Sequence, residues 1–124
     1  LLFDDCSNLK DFQKPFTRPK IEKETFTKNG INHIGLLEVI EAIKPTILIG
    51  CSSVSGAFNQ EIITKMASYV TNPIILALSN PTANAEIHPK DALAWTYGKA
   101  LIATGSPFGK VNYQGQEYPI AQCN

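Results

Sequence analysis

Three short polar clusters in this chain close apolar runs, and each has the composition of a ligand site. They are Gly50-Cys51-Ser52-Ser53, Ser79-Asn80-Pro81-Thr82 and Thr104-Gly105-Ser106-Pro107. Small residues let a ligand approach the backbone, and neutral hydroxyl and amide groups suit ribose hydroxyls, a carboxamide or a carboxylate. Each member also has an ordinary use. Serine favours loops and helix caps, Asn80-Pro81 is a common turn dipeptide, Thr82 can cap a helix, and Gly105 can simply end a strand. One such cluster fits a turn; three in comparable places point to a shared site.

The other reactive residues do not group. His33 and His88 are isolated, and His88 stands just before Pro89 at a predicted helix start, where a structural role is expected. Asp4, Asp5 and Asp11 sit in a charged stretch without a second cluster, so no metal site is expected among them. Cys51 reads as a small buried thiol rather than a reactive one, and Trp95 as a core or subunit contact. Cys6, Cys51 and Cys123 are odd in number and far apart, without metal-type spacing, which fits reduced thiols in a cytoplasmic compartment. The chain has no Gly-x-Gly-x-x-Gly, no glycine–lysine phosphate loop and no evident acid–base pair. A complete dehydrogenase cannot be assembled from these residues.

The elements that must position the clusters are legible from residue 35 onward. "GLLEVIEAIK" places Leu36, Leu37, Ile40 and Ile43 on one helical face, and Pro45 stops the helix. "TILIG", 46–50, is a short β-branched run closed by glycine, as expected for a strand covered on both faces. A helix over 59–70 follows, burying Ile62, Ile63, Met66 and Ala67. "IILALS" is a second buried strand, "HPKDALAWTYG" a short helix with Pro89 near its start, and "ALIATG" a third strand. Alternating strands and helices with short links predict an α/β fold with a parallel sheet and right-handed crossovers. "VNYQGQEYPI" alternates around Gln114-Gly115 and predicts a hairpin-like excursion outside that sheet. Residues 4–34 are irregular and charged, broken by Pro15, Pro19 and Gly30, with a short helical turn before Pro15 and a weakly periodic stretch from Lys20 to Lys28.

Composition narrows the partners. The 124 residues are of single-domain size and 44% hydrophobic, enough for a core. Lys plus Arg (11) balances Asp plus Glu (11), so no net field points to nucleic acid or an anionic membrane. Lys14, Arg18, Lys20 and Lys23 read as solvated surface. No apolar run approaches the roughly eighteen residues that cross a bilayer, and "LLFDD" is not laid out as a signal peptide. Both ends are apolar, so residues 1–124 are expected to be a piece of a longer chain.

"LSNPT", "ATGSPF" and "YPIAQCN", in this order and at these separations, resemble the carboxyl-terminal half of the NAD-binding domain of malic enzymes. "KPTILIG", "GAF", "EIITKM" and "LLFDD…FQKPF" fit the same family, so the resemblance covers essentially the whole chain. It implies part of a doubly wound, Rossmann-like nucleotide-binding domain. The implied parent is a homo-oligomer (dimer or tetramer) of the cytoplasm or the mitochondrial matrix. It oxidises and decarboxylates L-malate to pyruvate and carbon dioxide with NAD and a divalent metal, Mg2+ or Mn2+. The family's glycine fingerprint, catalytic tyrosine and lysine, and acidic metal ligands precede the segment that begins at Leu1.

Carried over by motif, Asn80 is implied to contact malate and the nicotinamide end of the cofactor, and Asn124 to hydrogen-bond the substrate. Cys51 and Ser52 would line the cofactor, with Ser79 close to the nicotinamide. Cys123 stands where a glycine is frequent. NADP-preferring relatives often carry a lysine at the position aligned with Gln13, which favours NAD here. Malolactic enzyme, which releases lactate, and a non-catalytic nucleotide-binding module are the alternatives.

Overall fold

Residues 1–27 and 34–123 are described by a computed structural model; Lys28, Gly30, His33 and Asn124, singled out above, lie outside the described residues. The chain divides into two compact units, residues 1–44 and 45–124.

In the first unit Phe3 bridges to Arg18 in parallel fashion, and its ring meets that of Phe26 edge-on at 6.4 Å. These two rings and Ile34 form a small core, with Val39 packed against it. The predicted turn before Pro15 is a 3-10 helix, Asp11–Phe16, that continues through the proline. A second 3-10 turn, Lys20–Glu22, leads into α1 (Lys23–Phe26), and α2 (Leu36–Ile43) follows. On α2, Ile40 is fully buried, whereas Ile43 is exposed. Lys14, Arg18, Lys20 and Lys23 each meet a carboxylate, on Asp11, Glu22 or Asp5, and so form ion pairs rather than a basic patch.

The second unit holds the parallel sheet. It runs β1 (Ile47–Gly50), α3 (Gln60–Tyr69), β2 (Ile74–Ala77), α4 (Pro89–Trp95) and β3 (Leu101–Thr104). Local chemistry explains the helices. Asn59 caps α3 by accepting the Ile62 amide at 3.0 Å, and Ile62, Ile63 and Met66 recur at helical spacing on its buried side. Pro89 opens α4, and His88 Nδ1 accepts the Lys90 amide at 3.1 Å, the structural role expected of that histidine. Both crossovers step in the same direction across the sheet, so right-handedness puts α3 and α4 on one side.

Beyond β3, β4 (Lys110–Tyr113) and β5 (Gln116–Pro119) form the predicted antiparallel hairpin. Its two-residue turn has φ of 51° at Gln114 and 79° at Gly115, the turn that matches strand twist. The chain then returns to the sheet as β6 (Ala121–Gln122), parallel to β3, giving the order β1-β2-β3-β6. Two residues are too short to leave a period in the sequence.

The sheet also corrects one expectation. Ile47, Ile74 and Leu101 are register partners on one face, followed by Ile49, Leu76 and Ala103. Ile47, Ile49 and Leu101 on that face are 49%, 59% and 58% exposed, while Leu48 and Ile75 on the other are buried. The continuous apolar run therefore does not mean a strand covered on both faces within this chain.

Candidate functional site

Parallel pairing brings the carboxyl ends of β1, β2 and β3 to one edge, where open α/β sheets bind ligands. Gly50, Ala77 and Thr104 are register partners, so the three clusters that follow them start level with one another.

Backbone contacts fix how closely the ends approach. The amide of Leu78 donates to Gly50 O at 2.8 Å, that of Gly105 to Ala77 O at 3.0 Å, and that of Cys123 to Thr104 O at 2.8 Å. A Cβ on Gly105 would lie 2.1 Å from Leu78 O and 2.9 Å from the Asn80 side-chain nitrogen, so only glycine lets β3 pass here. A Cβ on Gly50 would lie 2.7 Å from both Glu86 Cδ and Phe58 Cζ.

Ser52 and Ser79 meet on a carboxylate that the sequence reading passed over. Glu86 is fully buried. Its Oε1 accepts the Ser52 amide at 2.7 Å, the Ser52 hydroxyl at 3.0 Å and the Ser79 hydroxyl at 2.5 Å. Each hydroxyl, its proton committed to Glu86, accepts a backbone amide in turn. Ser79 Oγ accepts from Ser53 at 2.8 Å, and Ser52 Oγ from Val54 at 3.2 Å. Ser53 takes a left-handed φ of 57° to aim that amide, an uncommon conformation for a residue with a Cβ. Oε2 has no partner among the described residues. Burial pushes the Glu86 carboxyl up, but the bonds from Ser79, Ser52 and its own backbone outweigh it and hold the group below the ordinary glutamate range. It is a carboxylate at neutral pH.

Asn80 stands on the exposed side of this edge. Its Oδ1 accepts the Ser106 hydroxyl at 2.5 Å, which orients the amide. Its Nδ2 makes only a long 3.5 Å contact with Leu78 O and keeps donor capacity for a ligand carboxylate or carboxamide. Thr104 donates to Ser106 O at 2.8 Å and so completes the β3 side of the support. Thr82 begins a 3-10 turn, Thr82–Asn84, without capping it, so the cap reading of Thr82 is not realised.

Of the sequence-predicted site residues, Ser52, Ser79 and Asn80 thus lie on adjoining strand ends, and Asn124 lies outside the described residues. Cys51 follows β1 but is exposed, which corrects the expectation of a buried thiol. A cavity of about 370 Å3 is lined by Phe58, Ile87, His88, Asp91, Trp95 and Phe108, among others. Thr82 of the β2 cluster and Ser55 of the β1 loop reach its wall, whereas Cys51, Ser52, Ser79 and Asn80 do not. The signal that could have found Glu86 is a lone carboxylate between Ala85 and Ile87, both buried, directly after the polar cluster. Among the described residues no group of three or more His, Cys, Asp and Glu could hold a metal ion.

The neutral donors of this edge fit the carboxamide and hydroxyl groups of a nicotinamide nucleotide. A family model described as "Malic enzyme, NAD binding domain" matches residues 1–124. The chain is 53% identical over 125 residues to NAD-dependent malic enzyme 3 of Bacillus subtilis (strain 168). It is 47% identical over 126 residues to an NAD-dependent malic enzyme of Photorhabdus laumondii subsp. laumondii, and 44% identical over 124 residues to one of Idiomarina loihiensis. All of this chain is covered in each comparison, and it spans 22% of the length of each of these relatives.

Proposed function

The chain belongs to the malic enzyme NAD-binding domain family, and from that premise we propose that its parent oxidatively decarboxylates L-malate to pyruvate and carbon dioxide. The observation that carries the reading is Asn80, held by Ser106 at the end of β2 with its amide nitrogen still able to donate. When bound, NAD supplies the acceptor for the hydride that leaves malate. The residues of this chain bind and orient. Asn80 and Asn124 hold the substrate, and Asn80 also meets the nicotinamide end. Cys51 and Ser52 line the cofactor, and Ser79, whose hydroxyl already serves Glu86 and Ser53, shapes that wall from behind. Orientation carries much of the rate, because hydride transfer needs the reacting carbons in near contact.

The reading assigns NAD rather than NADP. Gln13 is neutral and accepts the Lys10 amide at 2.9 Å, while Lys14 is paired with Asp11 at 2.7 Å. At the position aligned with the lysine of NADP-preferring relatives, Gln13 would supply no charge to pair with a 2′-phosphate. The resemblance puts the ligands of the divalent metal, Mg2+ or Mn2+, upstream of Leu1, and the reading assigns this chain no step at the metal.

The test uses the full-length parent with L-malate, NAD and Mn2+, quantifying pyruvate, lactate and NADH together. Pyruvate matched by NADH is expected. Asn80→Ala is expected to lower kcat/KM for malate by about a hundredfold without unfolding the protein. Lactate without net NADH would replace the reading by malolactic chemistry, and no product at all by a non-catalytic nucleotide-binding module.

A further inference from the structure

We propose that Glu86 sets the preference of this nucleotide site for the oxidised, positively charged nicotinamide over the reduced, neutral one; this rests on the nucleotide-site reading above. Three donors converge on one oxygen of a fully buried side chain. A glutamine could offer those donors one amide oxygen in the same place, without a charge. Among the described residues no lysine or arginine forms an ion pair with Glu86. Burying an uncompensated carboxylate is costly. The charge is therefore the one property of Glu86 that the hydrogen bonds do not require.

Its position gives the charge a use. Glu86 lies directly behind Ser79, the residue before Asn80, and reaches the β1 loop through Ser52. A nicotinamide ring against Ser79 and Asn80 would stand one side-chain layer from Oε1. The ring carries a positive charge in NAD+ and none in NADH, so a fixed negative charge at that range discriminates between them. In a partly buried setting the effect is about tenfold in the ratio of dissociation constants. Because the two serine hydroxyls already point their protons at Oε1, the charge is held in place before any ligand arrives.

The experiment is calorimetric titration of the full-length parent with NAD+ and with NADH separately, in the absence of malate. Glu86→Gln is expected to raise the dissociation constant for NAD+ about tenfold relative to that for NADH. Glu86→Asp keeps the charge but shortens the reach. It is expected to weaken both nucleotides and leave their ratio near wild type. An unchanged ratio in the glutamine variant, or a lost ratio in the aspartate variant, would overturn the proposal. Should the glutamine variant fail to fold, a wild-type protein that binds NADH at least as tightly as NAD+ would overturn the proposal, since no preference would be left for Glu86 to set. A wild-type protein that binds neither nucleotide would instead overturn the nucleotide-site reading.

Discussion

Glu86 and Asn80 divide the labour at the edge of the sheet. One is buried and charged, the other exposed and neutral. The consequence for stability follows from the lowered carboxyl of Glu86. A folded value below the ordinary one, near 4.5, means that the stabilisation is fully present above that pH. It is lost as pH falls below it, through the depressed folded value. Asp5 adds an acid-sensitive contact in the other unit. Its hydrogen bond from Lys23 lowers the carboxyl first, desolvation opposes, and the charges of Lys23 and Lys20 lower it further. Thermal unfolding followed from pH 7 to pH 3 is expected to show a steeper acid limb in wild type than in Glu86→Gln, with the remaining slope including that of Asp5. Equal slopes in the two proteins would remove the carboxylate from the account. The place of Asn80 at a strand end was legible, because it lies in a polar cluster that closes an apolar run. Of Glu86 only a lone carboxylate between Ala85 and Ile87 was on view; its role was not, because three donors arrive from residues 7 and 34 positions away. Spacing along the chain does not encode such convergence.

At the level of elements, the strand ends are held apart and together by Gly105. The backbone of Leu78, just past β2, occupies the place that a Cβ on Gly105 would take, so a methyl group there must push Leu78 or Asn80 aside. Gly105→Ala is expected to cost about 2–3 kcal/mol, read as a lower urea midpoint of the full-length protein, and to raise KM for malate through the displaced Asn80. A variant with unchanged midpoint and KM would show that the loops absorb the methyl group. The strands and helices of this unit were legible because each carries a local signal: apolar runs closed by small residues, the helical spacing of Ile62, Ile63 and Met66, Pro89 at a helix start. The hairpin was legible from Gln114-Gly115. β6 was not, since Ala121 and Gln122 join the sheet only through β3. The two-sided burial expected of β1 failed for a related reason. An apolar strand shows what a face can tolerate, and the covering layer has to come from elsewhere in the molecule.

At the scale of the whole chain, the partly uncovered face of the sheet is the feature with consequences in solution. Ile47, Ile49 and Leu101 are exposed together on one side of the sheet, and β1 is an edge strand beside them. Apolar patches and unpaired edges of this kind drive association. The 124-residue chain expressed alone is expected to elute from size exclusion as oligomers that grow with concentration. A monodisperse monomer by light scattering at tens of micromolar would contradict this. Leu48 and Ile75 answer to neighbours folded from the same few dozen residues, so their variation is checked by this chain alone. Ile47, Ile49 and Leu101 have no such local arbiter. A polar residue at any of the three would therefore leave the core on the opposite face intact while making the sheet less adhesive.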